Sequence, residues 1–121
     1  MISKELVEKC KLKLLKAKED LLVLRRSTAV EISTPDFGGD EADQSVRNIN
    51  ESRTVEMNER IRIQIYEIDL ALHRIMEGTY GFCEETGEAI EIERLLAIPW
   101  TRLSIEGAEM RENISKRYAR G

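Results

Sequence analysis

Apolar or small residues recur at Val7, Cys10, Leu14, Ala17, Leu21 and Leu24, followed by Thr28, which is the a/d spacing of a heptad. Leu15 and Leu22 widen this stripe. Ser3 stands where it can cap a helix, with Glu5 well placed in the first turn, and no Gly or Pro follows until Pro35. The spacing therefore predicts one unbroken helix up to Ser33-Thr34-Pro35, because Pro35 biases its predecessor away from helix. Phe37-Gly38-Gly39 reads as a turn, and a second helix restarts near Asp40 or Asp43. Its seam is clearest late, where Ile61, Ile65, Ile68, Leu72 and Ile75 step by four, three, four and three. Carried backward, the same seam falls on Asn58, Thr54, Glu51 and Arg47, all polar. Two such arms joined by a short loop fold back as an antiparallel hairpin, weakly zipped near the turn and tightly zipped far from it. An arm of thirty helical residues extends about 45 Å.

Gly78 is expected to end the second helix. Two strand-like pieces follow, Thr79–Glu84 and Glu88–Glu93, divided by Glu85-Thr86-Gly87, and they predict a short β-hairpin. Arg94–Ile98 reads as a helical turn stopped by Pro99, and Ser104 as the cap of a last helix running to about Arg120. The expected fold is mainly α: a long antiparallel coiled-coil hairpin over 1–78 with its tip at about 34–45, then a small globular module over 79–121.

Composition narrows the class. With 121 residues, 35% of them charged and only 5% aromatic, the chain suits long helices with narrow apolar seams better than a thick core. No apolar run approaches a membrane span, and the opening MISKELVEKCK is charged where a signal peptide is apolar, so a reduced cytoplasmic home is expected. The net charge of −4 is unevenly placed. Residues 1–33 carry eight bases against five acids, 34–43 four acids and no base, 44–109 thirteen acids against seven arginines, and 110–121 a balance of +3. An acidic chain of this kind is not expected to coat nucleic acid through a broad basic face.

The candidate chemistry is sparse. Asp36, Asp40, Glu41 and Asp43 gather at the hairpin turn. They read either as helix N-terminal acids favouring the macrodipole, or as carboxylates carried on a rigid probe toward a cation, a bound Mg²⁺ or a basic residue. Cys83-Glu84-Glu85-Thr86 has the frame of a C-x-x-C metal knuckle with its second thiolate replaced, and one thiol without a neighbouring His cannot build a tetrahedral zinc site. Cys10 is a small seam residue and His73 an ordinary helix residue. No nucleophile and base are joined by a third member or an oxyanion loop, so catalysis is not expected.

The order of parts nevertheless resembles one family. Coiled-coil arms and an acidic tip precede Y-G-F-C-E-E-T-G-E-A-I and R-L-L-A-I-P, an arrangement similar to the DksA/TraR family of bacterial transcription factors from about Asp40 to Ala108. That family carries Y-G-x-C-x-x-C-G-x-x-I, R-L-x-A-x-P and a final C-x-x-C. Tyr80, Gly81, Cys83, Gly87, Ile90, Arg94, Leu95, Ala97 and Pro99 match, whereas the other three cysteine positions are Thr86, Ser104 and Gly107. The resemblance implies a factor that binds RNA polymerase without binding DNA and enters its secondary channel with the coiled coil. It implies a D-x-x-D-x-A tip near the active centre, here Asp40, Asp43 and Ser45, with Ser45 replacing the family's Ala. It also implies polymerase contacts at Arg60 and Arg94.

Two departures accompany the likeness. With the ligand set broken at Cys83, Thr86, Ser104 and Gly107, zinc is not expected, and a replacement core is expected from Tyr80, Phe82, Cys83, Ile90, Ile92, Leu95, Ile98, Trp100, Leu103 and Ile105. Where the family offers bases to the nucleotide ppGpp, this chain offers Glu67, Ile98 and Ala108, so weak or absent ppGpp dependence is expected. The leading expectation is a regulator of transcription initiation. Its alternatives are a Gre-like accessory to transcript cleavage, or a coiled-coil scaffold that has lost polymerase binding.

Overall fold

The structure is a computed structural model that describes the backbone of residues 2–33 and 41–120, with side chains for 2–27 and 51–119. Four helices follow in order: α1 (Lys4–Ser33), α2 (Glu41–Glu77), α3 (Ile92–Ala97) and α4 (Ile105–Arg120). The architecture is mainly α, with α1 and α2 an antiparallel pair, as the heptad spacing predicts.

The helix ends follow local chemistry. Ser3 caps α1, its Oγ accepting the Leu6 N–H at 3.2 Å. At the C-terminus of α2, Gly78 takes φ +81°, and its N–H and that of Thr79 donate to the carbonyls of Ile75 and Arg74. This is a Schellman closure, and it needs the left-handed backbone that glycine adopts without strain. Ser104 caps α4 by accepting the Gly107 N–H at 3.0 Å, and the Glu91 carboxylate accepts the Ile105 N–H at 3.1 Å. Among the described residues no helix is long and apolar enough to cross a membrane.

The chain groups into two units, one of residues 17–66 and one of residues 1–16 with 67–121. In the unit of residues 17–66, Ile61 and Ile65 are buried on the seam, Thr54 and Asn58 are half-buried, and Leu24 is 39% exposed. In the other unit Cys10, Leu14, Ile68, Ala71 and Leu95 are wholly buried, joined by Tyr80, Cys83 and Ile90.

The β-hairpin is corrected. Among the described residues its only trace is an isolated antiparallel bridge between Phe82 and Ala89. The Cys83 N–H donates to the Glu88 carbonyl at 2.8 Å and the Ile90 N–H to that of Gly81 at 2.8 Å, but the pairing goes no further. The second piece cannot continue as a strand because Ile92 already opens α3, two residues before the expected helical turn. The replacement core also differs from expectation. Tyr80, Cys83, Ile90 and Leu95 are buried, but Phe82, Ile92 and Ile105 are about half exposed. Their place is taken by α1: the Cys10 thiol lies 3.9 Å from the Leu95 carbonyl, and the Lys13 ammonium donates to the Leu96 carbonyl at 2.9 Å.

Candidate functional site

Two places concentrate the residues singled out above: the hairpin tip and the loop after α2. At the tip, Asp40 lies outside the described residues. Asp43 and Ser45 lie in the first turns of α2, where their side chains are likewise outside the description. Arg60, farther along α2, is exposed.

At the loop, the four positions Cys83, Thr86, Ser104 and Gly107 converge. The turn is closed by the Gly87 N–H donating to the Cys83 carbonyl at 2.9 Å. The Cys83 side chain is buried, as is Ser104, the one polar or charged residue buried among those described. Burial pushes the Cys83 thiol up, but hydrogen bonds with the side chains of Ser104 and Thr86, and with their backbones, outweigh it and bring the thiol down to about 6. Gly107 completes the arrangement by lacking a side chain: a Cβ there would stand 2.3 Å from Cys83 Sγ and 3.3 Å from Ser104 Oγ. The sulfur thus fills the space a side chain at position 107 would occupy.

This donor set does not fit zinc. One thiolate, two alcohols and a glycine leave a structural tetrahedron three strong ligands short, and the thiol is already enclosed by hydroxyls. Among the described residues no group of three or more His, Cys, Asp or Glu is disposed to hold a metal ion.

Beside the loop lies a cleft of about 380 Å³ lined by Glu67, Ile98, Trp100 and three arginines, Arg94, Arg102 and Arg111. All three guanidinium groups are engaged. Arg94 Nε donates to the Leu103 carbonyl at 2.9 Å, and Arg102 makes a two-pronged pair with Glu67, one prong at 2.8 Å. Arg111 Nε reaches Glu85 at 2.7 Å and its Nη2 reaches Glu84 at 3.1 Å. The sequence marked Glu67 and Ile98 but not these pairings, which join residues up to 35 positions apart and follow no local period. On the other side of the module the Tyr80 hydroxyl donates to the Pro99 carbonyl at 2.7 Å. Burial first, and then its contact with Cys10, raise the tyrosine's pKa and keep it a neutral donor.

An antiparallel helical pair followed by a tight loop, where Cys83, Thr86, Ser104 and Gly107 converge, and a capped final helix defines a module of zinc-finger type whose donor set is incomplete. The chain belongs to the DksA/TraR family. The family model described as "Prokaryotic dksA/traR C4-type zinc finger" matches residues 78–112, the span that holds all four positions. The RNA polymerase-binding transcription factor DksA of Caulobacter vibrioides is 36% identical over 107 residues, covering 88% of this chain and 75% of that protein. An uncharacterized protein of Aquifex aeolicus is 38% identical over 125 residues, covering 97% of this chain and 83% of its own. Among solved structures, transcription factor DksA2 from Pseudomonas aeruginosa superposes with a TM-score of 0.84 at 30% identity, over 94% of this chain and 88% of that one.

Proposed function

We propose that this protein is a non-enzymatic regulator of transcription initiation that binds RNA polymerase through its secondary channel. In this reading the helical pair carries Asp40, Asp43 and Ser45 toward the active centre, in the bacterial cytoplasm and without sequence-specific DNA contacts. The observation that supports it best is the near full-length likeness to DksA2, which includes the helical pair as well as the loop module. Of the two arginines considered for polymerase contact, Arg60 is exposed, whereas Arg94 Nε is committed to the Leu103 carbonyl. Arg60 is therefore the better placed. Capture of core RNA polymerase by the tagged protein tests the reading, and failure of capture would leave the scaffold alternative. Backtracked complexes separate regulation from cleavage, since a Gre-like accessory shortens the RNA and a regulator leaves it intact.

Zinc independence belongs to the same proposal. A chelator is expected to leave the helical circular dichroism and the unfolding midpoint unchanged, and elemental analysis to find far less than one zinc per chain. Unfolding by chelator, or stoichiometric zinc, would contradict it.

The nucleotide ppGpp is expected to add little to the effect on transcription. Its pyrophosphates need free cations, and in the cleft lined by Glu67 and Ile98 each arginine already holds a carboxylate or a carbonyl. Promoter-specific transcription with and without ppGpp checks this, and a large ppGpp effect that requires the protein would refute it.

A further inference from the structure

Side chains from three separate parts of the fold meet the loop at one carboxylate. Glu84 Oε1 is 3.3 Å from Arg74 Nη1 of α2, and its Oε2 is 3.1 Å from Arg111 Nη2 of α4 and 3.9 Å from Arg102 Nη1. Its backbone N–H also donates to the Arg102 carbonyl at 2.9 Å. The neighbouring Glu85 takes Arg111 Nε, and Glu67 on α2 takes Arg102, so both outer arginines are gripped from two sides.

We infer that this clasp, centred on Glu84, positions the loop against α2 and α4 where the family's zinc finger would use a metal. A zinc ion joins the two ends of such a module by binding ligands from both. Here Cys83, Thr86, Ser104 and Gly107 meet as a packed plug of thiol and hydroxyls, whose link across the module is the hydrogen bonding of Cys83 with Ser104. Glu84 provides three further links. It ties the loop to α4 through Arg111, to the segment before α4 through Arg102, and to α2 through Arg74.

The environment makes these links count. Arg74 is 17% exposed in its side chain, its Nη2 is buried without a hydrogen-bond partner, and burial lowers its pKa while Glu84 raises it. Removing Glu84 therefore leaves a largely buried cation without the stronger of the two carboxylates, Glu84 and Glu67, that oppose its desolvation. A single exposed pair contributes little, but a network of shared, two-pronged pairs is the case in which surface ions matter. Arg111 and Glu84 remain 43% and 38% exposed, so dissolved salt can screen the links.

Amide hydrogen exchange on the full-length protein in low and high sodium chloride tests the inference. High salt is expected to speed exchange at Glu84 and Gly87 several-fold in the wild type while leaving Ile68, on the α2 seam, unchanged. Glu84→Gln is expected to speed exchange at the same loop amides by about tenfold in low salt and to weaken their salt dependence, the Glu85–Arg111 and Glu67–Arg102 pairs remaining. Adding Arg111→Gln to Glu84→Gln is expected to speed exchange less than Arg111→Gln does in the wild type, because the Glu84–Arg111 link is then already broken and only the Glu85–Arg111 pair remains to be lost. Loop exchange that ignores salt in the wild type overturns the inference, even where the variants fail to fold. So do purely additive effects of the two substitutions.

Discussion

Asp43→Asn is expected to abolish the protein's effect at a responsive promoter while leaving its affinity for core RNA polymerase within about twofold. Asparagine keeps the size and shape of the side chain and removes only its charge. Asp43 sits in the first turn of α2, where a carboxylate gains some stability from the helix dipole. That gain is about 0.3–1 kcal/mol at an exposed helix start, too small to unfold a pair zipped at Ile61, Ile65 and Ile68. A carboxylate meeting a cation or a mobile basic residue inside an enclosed channel is worth far more. Charge-assisted hydrogen bonds are roughly twice as strong as neutral ones, and they gain further wherever bulk solvent is thinned out. In the proposed reading the arms bear the binding and the tip the effect, so the two should separate. Equal activity of wild type and Asp43→Asn on the same promoter would end the tip hypothesis.

The second large effect lies in the core. Leu95→Ala is expected to cost about 2–5 kcal/mol of unfolding free energy, a large share of the total for a domain of this size. Leu95 is fully buried, and its backbone carbonyl faces Cys10 of α1, so the residue secures the loop module to the helical pair. Phe82→Ala removes more carbon atoms, yet Phe82 is 47% exposed and should cost markedly less than Leu95→Ala. Urea unfolding followed by circular dichroism compares the two. A cost at Phe82 equal to that at Leu95 would contradict the packing described above.

That contrast also shows where the sequence is legible. Features decided within a few residues could be read directly: the caps at Ser3 and Ser104, the stop at Gly78, and the seam through Ile61, Ile65 and Ile68. Each depends on a hydroxyl, a left-handed backbone or a repeat spacing that neighbouring residues do not override. The β-hairpin failed because residues 88–93 alternate like a strand, but Ile92 begins a helix closed by the Ile98 N–H on the Arg94 carbonyl. Phe82, Ile92 and Ile105 were expected inside from hydrophobicity alone. What fills the module instead is Cys10 with Leu14, more than sixty residues earlier, and no local pattern signals that meeting. The convergence of Cys83, Thr86, Ser104 and Gly107 followed from the resemblance, since spacing by itself offered one thiol and no partner. The clasp on Glu84 was invisible for the same reason as Cys10: Glu84, Arg74, Arg102 and Arg111 belong to four different parts of the chain.

The central claim is that the tip reaches the polymerase active centre. Replacing the catalytic Mg²⁺ of RNA polymerase with Fe²⁺ and adding hydrogen peroxide, which the Fe²⁺ reduces, generates short-lived hydroxyl radicals at that centre, and these cut only nearby polypeptide. With end-labelled protein bound, cleavage is predicted within about residues 34–45 and nowhere on α4. Cleavage centred on the loop module, or a chain left uncut while still bound, would contradict the account.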